Sequence, residues 1–150
     1  MSAETTEIAT IEAAPVAGLA NELASLSNGN VGVFSTVKGA DHKSRLVTLK
    51  ALGNAVPVAD NIGKTINLAN VVVQQISMVN ERTGELQDVP RVTLLDADGT
   101  AYHCISDVVY KDLKNTFAIL GMPSTWPAPL PVKVEKTKGK TGSFFSLSYV

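Results

Sequence analysis

The chain has 150 residues, 45% of them hydrophobic and 18% charged, which fits one domain with its own core and is too apolar for general disorder. No apolar run approaches the roughly 20 residues of a membrane span, and the acidic N-terminus lacks the basic-then-apolar pattern of a secretory signal. The one cysteine, Cys104, excludes an internal disulfide, and no Cys/His cluster has metal-ligand spacing, so an intracellular protein without membrane, metal or cofactor is expected. The formal net charge of −1 conceals a gradient. Residues 1–30 carry Glu4, Glu7, Glu12 and Glu22 with no base, residues 31–130 balance at nine of each sign, and residues 131–150 set Lys133, Lys136, Lys138 and Lys140 against Glu135 alone. A local basic end suffices to attract phosphate even on a neutral body.

Residues 1–15 are rich in Glu, Thr and Ala without periodicity and read as an acidic, disordered tail ahead of a single domain over 16–150. Leu19, Leu23 and Leu26 fall on one side of a short helix that Asn28-Gly29-Asn30 would stop. From Val31 the period changes to two, and a second alternating run, Val47, Leu49 and Ala51, follows the polar stretch Gly39-Ala40-Asp41-His42. A hairpin is the simplest expectation. Residues 53–64 read as loop, and Ile66–Val79 as a long strand whose alternation slips at Val71–Val73, through a bulge or burial on both faces. Val89–Asp96 and Thr100–Ile105 flank Asp96-Ala97-Asp98-Gly99, a hairpin turn. Ser106 or Asp107 can cap a helix carrying Val109, Leu113, Phe117 and Leu120, which Gly121 and Pro123 end. Residues 122–131 hold four of the seven prolines and the only tryptophan, and predict a stiff connector. Val132–Lys136 and Ser143–Val150 flank Thr137-Lys138-Gly139-Lys140-Thr141-Gly142, a terminal basic β-hairpin. The fold class expected is mainly β: an OB-like antiparallel barrel with one helix and that hairpin.

Enzyme chemistry finds little support. His103 and Cys104 are adjacent in a strand and so point to opposite faces, and Asp96 and Asp98 sit where a turn favours Asp for its own geometry. Gly139-Lys140-Thr141 resembles the end of a phosphate-binding loop, but position 134, where the upstream glycine belongs, is valine. A binding surface is better supported, because single strands are held by a cationic groove with aromatic faces for the bases. Lys136, Lys138 and Lys140 are followed by Phe144 and Phe145, of which one ring should enter the core and the other stay available for stacking. Lys43, Arg45 and Lys50 on the early hairpin extend the candidate groove, with Phe34 beside them. Trp126, between Pro123 and Pro127, is either a stacking platform or a plug under the connector, the plug being favoured. Lys111 and Lys114 read as the solvated side of the helix.

The order of motifs carries a resemblance. Leu94-Leu95-Asp96-Ala97-Asp98-Gly99-Thr100-Ala101-Tyr102 precedes Ser106, Tyr110 and Leu113-Lys114. Then follow Leu120-Gly121-Met122-Pro123, Trp126, Pro131-Val132-Lys133-Val134 and the Lys/Gly hairpin. Over about 60 residues this resembles small bacteriophage proteins that coat single-stranded DNA. The resemblance implies an OB-like fold and sequence-independent, non-enzymatic binding of displaced strands in the infected host's cytoplasm during replication or recombination. Replication proteins and further copies of the chain are the other partners it admits. The acidic segment here is N-terminal, so recruitment through an acidic C-terminal peptide has no counterpart in this sequence. The alternative is a phage structural or regulatory interaction protein that assembles by strand pairing without nucleic acid.

Overall fold

The structure, a computed structural model, describes residues 18–26, 32–37, 41–140 and 142–150. The acidic tail expected over residues 1–15, the Asn28-Gly29-Asn30 stop, Val31, Lys38-Gly39-Ala40 and Thr141 lie outside the described residues.

The described strands are β1 (Val33–Ser35), β2 (Val56–Pro57), β3 (Ile66–Val79), β4 (Leu86–Asp96), β5 (Ala101–Ile105), β6 (Leu130–Lys138) and β7 (Ser143–Tyr149). They form one curled half-barrel sheet in the order β2-β5-β4-β3-β6-β7, with β1 added beside β3. The fold is therefore mainly β and OB-like. β3 is its spine. One edge runs antiparallel to β4 from Leu68↔Asp96 to Val79↔Leu86. The opposite edge is divided, pairing with β6 at Ile66–Leu68 and with β1 at Val72–Gln74.

Both explanations for the slipped alternation in β3 hold. A register shift between Leu68 and Asn70 turns Leu68 and Val71 to the same side. Val71 and Val73 then enter the main core, while Val72 joins a second cluster with Leu95 and Ala101 on the other face. The main core fills the concave side with Leu68, Leu94, Tyr102, Leu113, Val134 and Leu147 among others.

Three helices are described: α1 (Leu19–Leu26), α2 (His42–Asn54) and α3 (Asp107–Leu120). In α3 the buried Ser106 hydroxyl accepts the Val109 N–H at 3.1 Å, satisfying one of the donors a helix start leaves unpaired. Val109, Tyr110 and Leu113 put its apolar stripe into the core, and it touches both β4 and β7. Gly121, at φ +81°, ends it where a Cβ would lie 2.8 Å from the Thr125 hydroxyl. None of the described helices is long and apolar enough to cross a membrane.

Residues 53–64, read as loop, instead finish α2 at Asn54 and supply β2, which pairs parallel with β5, and a 3-10 turn over Val58–Asp60. A second expectation is corrected just before them in the chain. The run around Arg45–Ala51, read as the second strand of an early hairpin, is the helix α2. Asp41, read as part of a polar turn, caps it by accepting the Ser44 N–H at 3.2 Å. Leu, Lys, Arg and Ala in this run are good helix formers. The residues that touch the sheet, Ala51, Leu52 and Ala55, follow a helical repeat and cover Val72, Leu95 and Ala101. With no second strand to pair, β1 docks on β3 instead, and Phe34 turns into the core while Val33 faces outward.

Candidate nucleic-acid interface

The β6–β7 hairpin carries the densest positive charge. Its register pairs Lys136 with Phe145, Thr137 with Phe144 and Lys138 with Ser143, and opposed residues of an antiparallel pair share a face. Phe145 is therefore on the side that packs inward and is 4% exposed, within the core. Phe144 lies on the opposite side with Thr137 and remains half-buried. Its ring reaches over the turn, where a Cβ on Gly139 would stand 3.5 Å from a ring carbon and 3.2 Å from the Gly142 carbonyl. The Gly139 N–H donates to that carbonyl at 2.6 Å, closing the tip. Glycine at 139 lets the chain bend closely around the ring, and it places exposed Lys138 and Lys140 on either side of the bend. By the same rule exposed Lys136 and Lys138 lie on the Phe145 side of the hairpin, while half-buried Lys133 shares the Phe144 side with exposed Glu135. A partly open aromatic ring at a tip that carries exposed lysines can stack a base and neutralise nearby phosphates.

Other sequence candidates are placed elsewhere. Phe34, expected at the groove, is a correction: it is 4% exposed and meets Phe117 edge-on with ring centroids 6.0 Å apart. Once β1 docks on β3, that ring has the concave core in front of it, so it has no face to offer a base. Trp126 stands 6.5 Å from Phe117 and donates its indole N–H to the Gly121 carbonyl at 2.9 Å. It is half-buried against the core, as a plug would be. Lys43, Arg45 and Lys50 are exposed on α2, on the far side of the sheet from the main core. The hairpin and α2 thus form two basic surfaces, one at the β6–β7 end and one over β4–β5.

Two cations were passed over in sequence and a third was misread. Lys64 lies 5.6 Å from the centre of the Tyr102 ring, and Gly63 before it donates to the Val134 carbonyl at 3.0 Å, next to the basic strand. A hydrogen bond with Tyr102 and the nearby Asp98 and Asp96 charges hold its ammonium more firmly protonated than usual. Arg91 donates to the Gln74 side chain at 3.0 Å on the outer face of the sheet. Lys114, read as solvated, meets the Glu22 carboxylate at 2.5 Å, and the Tyr110 hydroxyl donates to the same oxygen at 2.5 Å. Burial pulls the Glu22 carboxyl upward, but the Lys114 and Tyr110 hydrogen bonds and the Lys114 charge outweigh it and leave it below its ordinary value. Lys64 and Arg91 did not stand out in sequence and Lys114 was read as solvated, because a lone cation gains its meaning from partners far along the chain.

The groups that invited catalytic readings are engaged in structure. The Asp96 carboxylate accepts the Asn67 N–H at 3.0 Å and the Asp98 N–H at 2.9 Å, and Asp98 accepts the Thr100 N–H at 2.8 Å, so both serve the turn. His103 sits half-buried on the outer face, held below its usual basicity by burial and then by Arg91, whereas Cys104 is within the core.

Comparison with known proteins identifies a family. No curated protein and no solved structure matches the chain. The family model described as phage single-stranded DNA-binding protein, of the Phi29 type, matches residues 27–149. That span runs from just before β1 through both basic surfaces to the last residue of β7. The chain belongs to the Phi29-type family of phage single-stranded DNA-binding proteins.

Proposed function

We propose that the chain coats strands displaced during phage DNA replication or recombination in the host cytoplasm, without regard to sequence and without catalysis, and that the β6–β7 hairpin is its primary contact. The observation that carries this reading is the half-open Phe144 ring wrapped by the Lys138-Gly139-Lys140 tip. Stacking on such a ring is indifferent to base identity, since every base has a π face, and the lysines meet the backbone that all sequences share. Among the described helices none is free to read a major groove: α1 and α3 contribute to the core, and α2 lies on the sheet. Membership of a DNA-binding family weighs against the alternative of an interaction protein that does not touch nucleic acid.

Titration of labelled oligo-dT against duplex of equal length at two salt concentrations tests the reading. Preferential binding of the single strand, weakening as salt rises, is the expected result. Equal affinity for both forms, or affinity that varies with base composition but not with salt, would overturn it.

A further inference from the structure

α2 crosses the outer face of the sheet without sealing against it. Ala51 and Leu52 pack on Val72, Leu95 and Ala101, but along one flank of the helix a groove of about 590 Å³ remains. Val47 and Ala51 form one wall of it, Ala69 and Leu95 the other. Asn54, Asn70 and Thr100 add neutral hydrogen-bonding groups. The Asn70 carboxamide oxygen accepts from the Thr36 hydroxyl at 3.0 Å, which leaves the Asn70 N–H groups to donate elsewhere. Apolar walls with a few separated polar groups suit a flat heteroaromatic ring, which is apolar on its faces and hydrogen-bonds at its edge.

The charges around the groove are divided. Asp96, 9% exposed, borders it with its carboxylate held by the Asn67 and Asp98 N–H groups, so that part repels a phosphate and admits an uncharged group. Lys50 stands on the α2 side. Lys43, Val47, Lys50 and Asn54 recur at helical spacing and share one flank of α2, whereas Arg45 falls on the other. The groove also shares a face of the sheet with the hairpin ring. Val132, Val134 and Phe145 enter the main core with Leu68, so Phe144 and Lys133 are turned to the outer face, where Val72 and α2 lie. Exposed Asn67, paired with Pro131, spans the interval between β6 and Ala69. Glu135 is the acidic exception on the hairpin's part of this route.

We propose that this groove takes one unpaired base of the DNA strand held at the β6–β7 hairpin, with Lys50 and Lys43 on the phosphates that flank it. The inference rests on the hairpin as primary contact and adds a second base site farther along the same strand. Every residue of the groove falls within the span 27–149 that matches the DNA-binding family. A base within a duplex is stacked on both faces and paired at its edge, so it enters such a groove only by leaving the helix at a cost in stacking and pairing. The groove thus selects single strands by shape, which lysines alone do not. It separates the cations of α2 into two that serve DNA, Lys43 and Lys50, and one that does not, Arg45.

Photocross-linking of the full chain to oligo-dT carrying 4-thiothymidine at single positions, mapped by mass spectrometry, tests the groove separately from the hairpin. Cross-links are expected in two places, around Phe144 and on the α2 or β3 wall of the groove. K43A/K50A should remove the groove cross-links, keep those at the hairpin, and flatten the log–log salt dependence of affinity by roughly 1.4, at about 0.7 for each phosphate. R45A should match wild type in both respects. Ala97→Leu, which narrows the groove without a change of charge, should also shift the cross-links to the hairpin and weaken binding several-fold. Cross-links at the hairpin alone in wild type would overturn the groove site and leave the hairpin reading standing. Cross-links in the groove alone would keep this site and displace the hairpin as primary contact. An R45A effect as large as that of K43A/K50A would reduce α2 to diffuse attraction and overturn the site, and a wild type that binds no oligo-dT would overturn both readings.

Discussion

Phe144 and Phe145 are chemically identical neighbours on opposite sides of one strand, as its two-residue period requires. Phe145→Ala should lower stability by about 3–5 kcal/mol, since it empties a core position. Phe144→Ala should leave the melting temperature nearly unchanged and weaken oligo-dT binding by about 1–3 kcal/mol. Thermal melts and binding isotherms on the two proteins separate these outcomes, and an unchanged isotherm for Phe144→Ala would remove that ring from the interface. Glu22 offers a second test, in pH. Its carboxyl is held below its ordinary value of 4.5, so the folded state binds protons less readily than the unfolded one at this site. The contribution is complete above that value and disappears as pH falls through the lower folded one. Because Lys114 and Glu22 are each about one-third exposed, the pair contributes only about 0.5–1 kcal/mol. Glu22→Gln should lower stability by that amount at neutral pH and by progressively less below about pH 4.5, which parallel denaturant titrations of both proteins would reveal.

Among the elements, the β6–β7 hairpin separates charge from stability. Lys136, Lys138 and Lys140 are exposed at and near its tip, whereas Val132, Val134, Phe145 and Leu147 hold it to the core. Replacing the three lysines by alanine should scarcely move the melting temperature. It should flatten the log–log dependence of affinity on salt by roughly 2, at about 0.7 for each phosphate that is no longer neutralised. Isotherms measured across a series of salt concentrations suffice, and an unaltered slope would place the phosphate-binding groups elsewhere. This hairpin was legible in sequence because its turn residues and alternating strands point to one answer, and so were α3 with its Ser106 cap and the Ile66–Val79 strand. α2 was not. Val47, Leu49 and Ala51 satisfy a two-residue period by coincidence, and only Asp41 at the cap position and the Leu, Lys, Arg and Ala content argued for a helix. The error propagated: a false partner strand put Phe34 on the wrong face, because a one-residue change of side in a strand exchanges core for solvent. Lys64 was missed for a different reason, since its Tyr102 partner lies 38 positions away and no local pattern announces the pair.

Across the whole molecule, charge and architecture run together. The positive end of the sequence folds at one margin of the sheet, on the last hairpin, so a chain of formal charge −1 can still present a cationic edge. Elsewhere the ends of the sheet are modest: β2 is two residues long and β7 is partly covered by α3, whose Asp112 accepts the Leu147 N–H at 2.9 Å. The divided edge of β3 gives this molecule an uneven resistance to local opening. Val72 and Val73 cannot be uncovered without parting β3 from β4 and β1 together, whereas Met78 and Val79 are held by one neighbour among the described residues. Amide hydrogen exchange should therefore rank the centre of β3 slowest, near the rate of global unfolding, and the arm from Ser77 to Asp88 fastest within the same two strands. Comparable rates along the whole of β3 would show that the arm and the body open as one. A graded profile would mean that one continuous strand belongs to two units of different stability, so that its outer end can adjust to whatever it meets while the barrel behind it stays closed.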